Sequence, residues 1–269
     1  MKYQKQFRVK PGARVRLADR EAGGTGDLSD KSEAEKPMQK NLERLSELQY
    51  LLYAEDRRAL LVVLQGMDAG GKDGTIRHVM SGVNPQGCRV TSFKVPSAAE
   101  LAHDFLWRIH AAVPAKGQIG IFNRSHYESV LVERVHGLVS EKVWRARYEQ
   151  INRFEESLSQ NRIHILKFFL HISKSEQRRR LEERLKDPAK NWKISPADIA
   201  ERKWWGAYVK AYEEALSRCS TEEAPWFIIP SNHKWSRNLA VSQIIVEALE
   251  DLDMKLPPPS FDVSKVRLR

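Results

Sequence analysis

Cysteine is scarce in this chain. Cys88 and Cys219 are the only two among 269 residues, and no CxxC pair occurs, so a disulfide framework is excluded. Long apolar runs are missing too: no stretch approaches the ~20 apolar residues of a membrane-spanning helix. Residues 1–10 are polar and basic, without the apolar core of a signal peptide. A cytoplasmic protein with no membrane partner is the expectation. Acidic residues are outnumbered, 35 Asp plus Glu against 45 Lys plus Arg, for a net charge of +10. Such an excess favours polyanionic partners: nucleic acid, an anionic surface or a phosphate-rich substrate. There is no internal repeat and no recognised nucleic-acid-binding motif. The basic residues concentrate in one segment, so nucleic acid is not the expected partner.

A hydrophobic share of 41% and a charged share of 30% exclude wholesale disorder and leave an ordinary globular chain. Residues 1–36 are expected to form an N-terminal arm, whose polar stretch 21–36 suggests a mobile or surface loop. A helix is predicted from Pro37, with Leu42, Leu45, Leu48 and Leu52 on one face. Ala59-Leu60-Leu61-Val62-Val63-Leu64 is a continuous apolar run, the pattern of a strand covered on both faces. Further strands are predicted at 89–95, 118–122, 163–172 and 226–229. Helices are predicted at 98–112, 140–161, 173–186, 196–218 and 235–252. Strands alternating with helices imply an α/β fold with a mostly parallel sheet flanked by helices. A single domain is expected over residues 37–256, with a basic helical lid at about 174–218 and a Pro-rich tail at 257–269.

The first apolar run leads into Gly66-Met67-Asp68-Ala69-Gly70-Gly71-Lys72-Asp73-Gly74-Thr75. Gly66-x4-Gly71-Lys72, between a strand and a helix start, is the Walker A pattern. Glycines let successive backbone N–H groups point at phosphate oxygens, and the helix that follows adds its positive end. Gly66, Ala69, Gly70, Gly71, Asp73 and Gly74 are therefore candidate phosphate-binding positions. Lys72 supplies a mobile charge to the transferring phosphoryl group. Asp73 stands where Ser or Thr usually ligates Mg²⁺. Carboxylates beside phosphate need an intervening cation, which makes Asp68 a candidate Mg²⁺ ligand. Asp73 could share that role or simply complement the helix N-terminus.

The strand at 118–122 ends in Asn123-Arg124-Ser125-His126-Tyr127-Glu128. Ligands of a doubly wound sheet bind beyond the carboxyl ends of its strands, so this segment should face the loop. Asn123 could orient Mg²⁺, Arg124 could clamp phosphate oxygens, and Glu128 could reach a metal or an acceptor nucleotide. His126 and Tyr127 read as packing or hydrogen-bonding residues, because an acceptor phosphate is already ionised and needs no general base. In the basic segment Arg180 and Arg184 share a helical face and, with Lys193, could follow a phosphate chain. Trp192, Trp204 and Trp205 are expected to anchor the segment to the body.

Taken in order, these motifs resemble the family-2 polyphosphate kinases. The likeness runs through the Gly66–Gly74 loop, Val83-Asn84-Pro85, Leu106-Trp107-Arg108 and Phe122 to Glu128. It continues through Ser173-Lys174-x-Glu176-Gln177 with Arg180 and Arg184, then Asn191-Trp192-Lys193 and Ala224-Pro225-Trp226. The resemblance implies a P-loop kinase fold similar to thymidylate kinase with a helical lid. It implies Mg²⁺-dependent, reversible phosphoryl transfer between inorganic polyphosphate and nucleotides, and a homo-oligomer. Asp68, Lys72, Asn123, Arg124 and Glu128 match the catalytic motifs; Arg180, Arg184 and Lys193 match the lid. Asn at position 123 resembles the subgroup that phosphorylates both nucleoside mono- and diphosphates, which implies ADP and AMP as acceptors, with GDP and GMP as further ones. The rival expectations are an ATP-dependent nucleotide kinase and a nucleic-acid-binding P-loop protein. The loop is expected to seat the donor polyphosphate, with the nucleotide approaching from Arg124 and Glu128.

Overall fold

The computed structural model describes residues 3–267. Its centre is strand β1 (Ala59–Gln65), buried at every position. β2 (Cys88–Ser92), β3 (Ile119–Asn123), β4 (Ile163–His171) and β5 (Trp226–Pro230) complete the sheet. All neighbouring pairs are parallel, in the order β2-β3-β1-β4-β5. From β1 the chain runs out to the edge at β2 and back to β3 on one side, then crosses to β4 and β5 on the other, so the order reverses at β1. Crevices at such reversals are where α/β sheets hold ligands.

Alternate residues of β1 serve different layers. Leu60, Val62 and Leu64 pack with Leu45, Leu48, Leu52, Ile244 and Ile245. These come from helices α1 (Lys31–Glu55) and α7 (Lys234–Glu250). Leu61 and Val63 pack with Tyr148, Ile151, Ala211 and Ala215, from α3 (Glu141–Gln160) and α6 (Trp205–Arg218). Helix α2 (Lys72–Val79) follows the β1 loop, α4 (Lys174–Lys186) follows β4, and a short α5 (Pro196–Glu201) precedes α6. Among the described residues no helix is long and apolar enough to cross a membrane.

Some boundaries differ from the sequence expectation. Helix α1 starts at Lys31, so Pro37 lies inside it. Asp30 accepts from the N–H groups of Ser32 and Glu33 (2.7 and 3.3 Å), and Glu33 accepts from that of Ser29 (2.8 Å). This N-terminal cap outweighs the proline as a boundary. Residues 98–112 form two short turns, Ala98–Leu101 and Trp107–His110, in place of one helix. Between them Asp104 accepts from the Leu106 N–H (2.9 Å), turning the chain. The predicted helix at 196–218 is interrupted at Arg202–Trp204, between α5 and α6.

The arm is partly built into the body. Val9, Val15 and Leu17 are buried. The Val9 N–H donates to the Trp226 carbonyl (2.8 Å), so the segment flanks the β5 edge, which would otherwise expose unpaired backbone groups.

Candidate functional site

The β1–α2 loop is curled by close approaches that only glycine permits. A Cβ on Gly66 would lie 2.9 Å from the Leu170 carbonyl oxygen, and one on Gly71 1.9 Å from Nη1 of Arg237. Gly71 also has φ +105°, outside the comfortable range of other residues. Lys72 reaches back over the loop, its Nζ donating to the carbonyls of Gly66 (2.8 Å) and Met67 (3.4 Å). Burial, with Arg124 adding to it, lowers the Lys72 pKa.

Parallel register places the second constellation opposite. Leu64 pairs with Asn123, so the chain leaves β1 and β3 at the same level and both turns face one cleft. Asn123 Nδ2 donates to Asp73 (2.7 Å). Arg124, with φ +62°, bridges two carboxylates: Nη2 to Asp68 (2.9 Å) and Nη1 to Glu128 (3.2 Å). Burial opposes the Arg124 charge, but Glu128 and Asp68 outweigh it and hold the pKa above its ordinary value. Asp68, Lys72, Asn123, Arg124 and Glu128 thus line one cleft of about 790 Å³, ample for a nucleotide and a phosphate chain.

His126 and Tyr127 lie beneath this turn, both buried. His126 Nε2 meets Glu155 Oε1 (3.0 Å), and the Tyr127 hydroxyl donates to the same oxygen (3.0 Å). Lys167 on β4 donates to Glu155 (2.5 Å), the Tyr127 hydroxyl (2.8 Å) and the Cys219 carbonyl (2.6 Å). This network fixes the floor under Arg124 and Glu128 and stands apart from the cleft.

The lid arginines divide. Arg180 is 5% exposed. Its guanidinium donates to Glu176 (2.8 Å), to the loop carbonyls of Ala69 (2.9 Å) and Gly70 (3.2 Å), and to those of Ser231 (2.5 Å) and Asn232 (3.0 Å). Five contacts occupy the five donors a guanidinium has, so Arg180 braces the loop from behind. Arg184, one turn further along α4, is half-buried and donates to the Lys193 carbonyl (3.2 Å). Arg184, Lys190 and Lys193 line the cleft together. Arg178 and Arg179 are paired with Glu182, Glu176 and Glu183 on the solvent side. Trp192 is 78% exposed and its Nε1 donates to the Ala189 carbonyl of its own segment (3.1 Å), whereas Trp205 packs against the core.

Sequence reasoning passed over Lys94, Lys234 and Arg237 and read Arg108 only as part of the family likeness; all four are on the cleft wall. Gln177, named there only as a motif residue, donates its Nε2 to the Asp68 carbonyl (3.0 Å). Lys234 and Arg237 belong to no local motif. The signal that could have found them is topological, because the turn after β5 must emerge at the same edge of the sheet as the loop.

Among the described residues no cluster of three or more His, Cys, Asp or Glu could cage a metal ion. Mg²⁺ is commonly held by one or two carboxylates together with substrate phosphates, and Asp68 and Asp73 meet that requirement. Asn123 spends its amide nitrogen on Asp73, which leaves its oxygen as the atom suited to a cation. The donor set fits Mg²⁺ bound jointly with substrate.

Residues 28–257 match the polyphosphate kinase 2 (PPK2) family. The chain is 52% identical to the AMP/ADP-polyphosphate phosphotransferase of Meiothermus ruber, over 97% of this chain and 98% of the relative. It is 48% identical to the ADP-polyphosphate phosphotransferase of Rhodopseudomonas palustris, over 94% and 92% of the two chains. The crystal structure of polyphosphate kinase 2 from Arthrobacter aurescens TC1 superposes with a TM-score of 0.95 at 41% identity, covering 98% of this chain and 94% of that one. With the P-loop kinase fold and the cleft at its sheet reversal, these matches establish that the chain belongs to the polyphosphate kinase 2 family.

Proposed function

We propose that this protein transfers the terminal phosphoryl group of inorganic polyphosphate to ADP, giving ATP, and to AMP, giving ADP. The observation that carries the reading is the facing of two turns across one cleft. The Gly66–Lys72 loop and Lys72 lie on one side, with Arg124, bridged to Asp68 and Glu128, on the other. Relatives similar along nearly their whole length carry names for this reaction with AMP and ADP.

The donor's terminal phosphates lie in the loop, where backbone N–H groups and the α2 N-terminus receive them. The rest of the polyphosphate extends past Arg184, Lys190 and Lys193. An oxygen of the acceptor's last phosphate forms a bond to the terminal phosphorus while the bond to the penultimate phosphate's bridging oxygen breaks. The donor leaves one unit shorter. The attacking oxygen is already ionised, so no side chain removes a proton, and catalysis rests on alignment and charge stabilisation. Lys72 meets the charge on the transferring group, while Arg124 orients the acceptor from a position fixed by Asp68 and Glu128. Mg²⁺, held by Asp68 and Asn123 with Asp73 alongside, would neutralise phosphate charge.

GDP and GMP are further acceptors on this reading, the enzyme works in the cytoplasm, and it self-associates. An ATP-dependent kinase finds no favouring feature here, since the relatives' names specify polyphosphate. The test is turnover by purified protein given polyphosphate, Mg²⁺ and either AMP or ADP, without ATP. ATP from ADP and ADP from AMP are the expected products. Absence of both, with transfer from added ATP, overturns the reading.

A further inference from the structure

Arg237 stands in the first turn of α7, far from every motif in the sequence, and is 2% exposed. Nε and Nη2 donate to Oδ1 of its neighbour Asn238 (3.1 and 2.8 Å), and Nη1 donates to the Gly70 carbonyl (3.3 Å). Among the described residues, none of these partners is a carboxylate. Arg180, which shares the Gly70 carbonyl, has Glu176 at 2.8 Å; Arg237 has no such counter-charge. Burial, and secondly the neighbouring Arg180, push the Arg237 pKa down to about 10. The group is still charged at neutral pH.

A buried charge that is neither solvated nor paired destabilises a fold unless something neutralises it. The guanidinium lies close against the phosphate loop. A Cβ on Gly71 would meet Nη1 at 1.9 Å, and one on Gly74 would meet Nη2 at 3.4 Å. It is also part of the cleft wall, beside Lys72, Arg180, Arg184 and Lys234. An anion held in the seat made by the loop and the α2 N-terminus would therefore supply the opposite charge.

We propose that Arg237 is a positioning residue for the bound donor phosphate: its guanidinium backs the cradle between Gly70 and Gly74, and its unpaired charge is neutralised when phosphate binds there. The proposal rests on reading the loop as the donor seat. Its consequence is a trade. Arg237 weakens the anion-free protein and strengthens the phosphate-bound one. Removing it leaves the Gly70 carbonyl still served by Arg180, so the loop keeps a brace.

The experiment compares wild type with Arg237→Met, Arg237→Gln and Arg237→Lys by thermal melting, with and without inorganic tripolyphosphate, and by steady-state kinetics with polyphosphate and ADP. Wild type should gain Tm with tripolyphosphate. The Met and Gln variants should melt at or above wild type without anion and lose most of the anion-dependent gain. Their KM for polyphosphate should rise about ten- to a hundredfold, the range for losing a favourable interaction with a charged group, with kcat changing far less. The Lys variant should recover part of the gain. An undiminished gain in the Met and Gln variants overturns the proposal, as does a wild type that gains no Tm. A marked fall in anion-free Tm in both variants also overturns it, since the guanidinium would then be a structural prop of the empty loop. A wild type that gains Tm yet makes no ATP from polyphosphate refutes the donor reading instead, and leaves the linkage of Arg237 to phosphate standing.

Discussion

Lys72 and Arg124 bring charge into one space by different means. Lys72 is a point charge on a flexible stem, parked on the carbonyls of Gly66 and Met67 and able to swing to a phosphate oxygen at small cost. Arg124 is a planar fork with each Nη on a different carboxylate, so its direction is set before substrate arrives. Lys72→Ala should lower kcat by about 10²–10³-fold, the range for removing one electrostatic stabiliser of a transition state. Circular dichroism and Tm should stay near wild type; a variant that keeps most of its turnover would show that the loop does not handle the reacting phosphate. Arg124→Lys tests geometry rather than charge. One ammonium cannot span Asp68 and Glu128 as two Nη groups do, so kcat should fall by about 10²-fold with little change in Tm, because the bridge is partly open to solvent. Turnover within a few-fold of wild type would mean that charge alone suffices there.

At the scale of elements, the central strand was legible because a run covered on both faces must be apolar throughout, as Ala59 to Leu64 is. The phosphate loop was legible because its glycines are demanded by backbone contact. Helix starts were less so, since Pro37 is a conspicuous mark and the Asp30 cap a quiet one. Arg180 and Arg184 illustrate a further limit: helical spacing puts them on one face, but only packing of α4 against the loop shows that Arg180 is used up on carbonyls while Arg184 lines the cleft. Pro37, exposed and inside α1, can neither donate an N–H nor avoid crowding the preceding turn. Pro37→Ala should stabilise by about 2 kcal/mol, the helix gain less the entropy released in the unfolded chain; a lower Tm would show that the proline shapes a needed bend. The buried pair beneath the site makes a pH prediction. Burial alone would raise the Glu155 carboxyl, but Lys167 and His126 hold it below its ordinary 4.5. A carboxyl depressed by folding adds stability above its unfolded pKa, and that stability is lost as pH falls through the folded value. Lys167→Met removes the partner and should cost about 3–5 kcal/mol at neutral pH. Its stability should also decline less steeply below pH 4.5 than that of wild type. Equal slopes would place the acid sensitivity elsewhere.

For the whole molecule, the excess of 45 basic over 35 acidic side chains is not spread evenly over function. Arg178 and Arg179 on the lid's outer side are paired with glutamates, whereas Arg184, Lys190, Lys193, Lys234 and Arg237 line the cleft. A long polyanion in that cleft must displace counterions along its length, as nucleic acid does when several phosphates are neutralised together. A short acceptor touches fewer cations and displaces fewer. The affinity for polyphosphate should therefore fall steeply between about 50 and 200 mM salt, with a log–log slope several times that for ADP, each neutralised phosphate contributing about 0.7 by analogy with single strands. Shortening the donor to tripolyphosphate should flatten the slope toward the ADP value, because the cations beyond the loop lose their partners. Titrations of both substrates across salt, followed by binding rather than turnover, separate this from effects on the chemical step. Matching slopes for long-chain donor and ADP would mean that only the terminal phosphates are held, and that Arg184, Lys190 and Lys193 act on the transferring group and not along the chain.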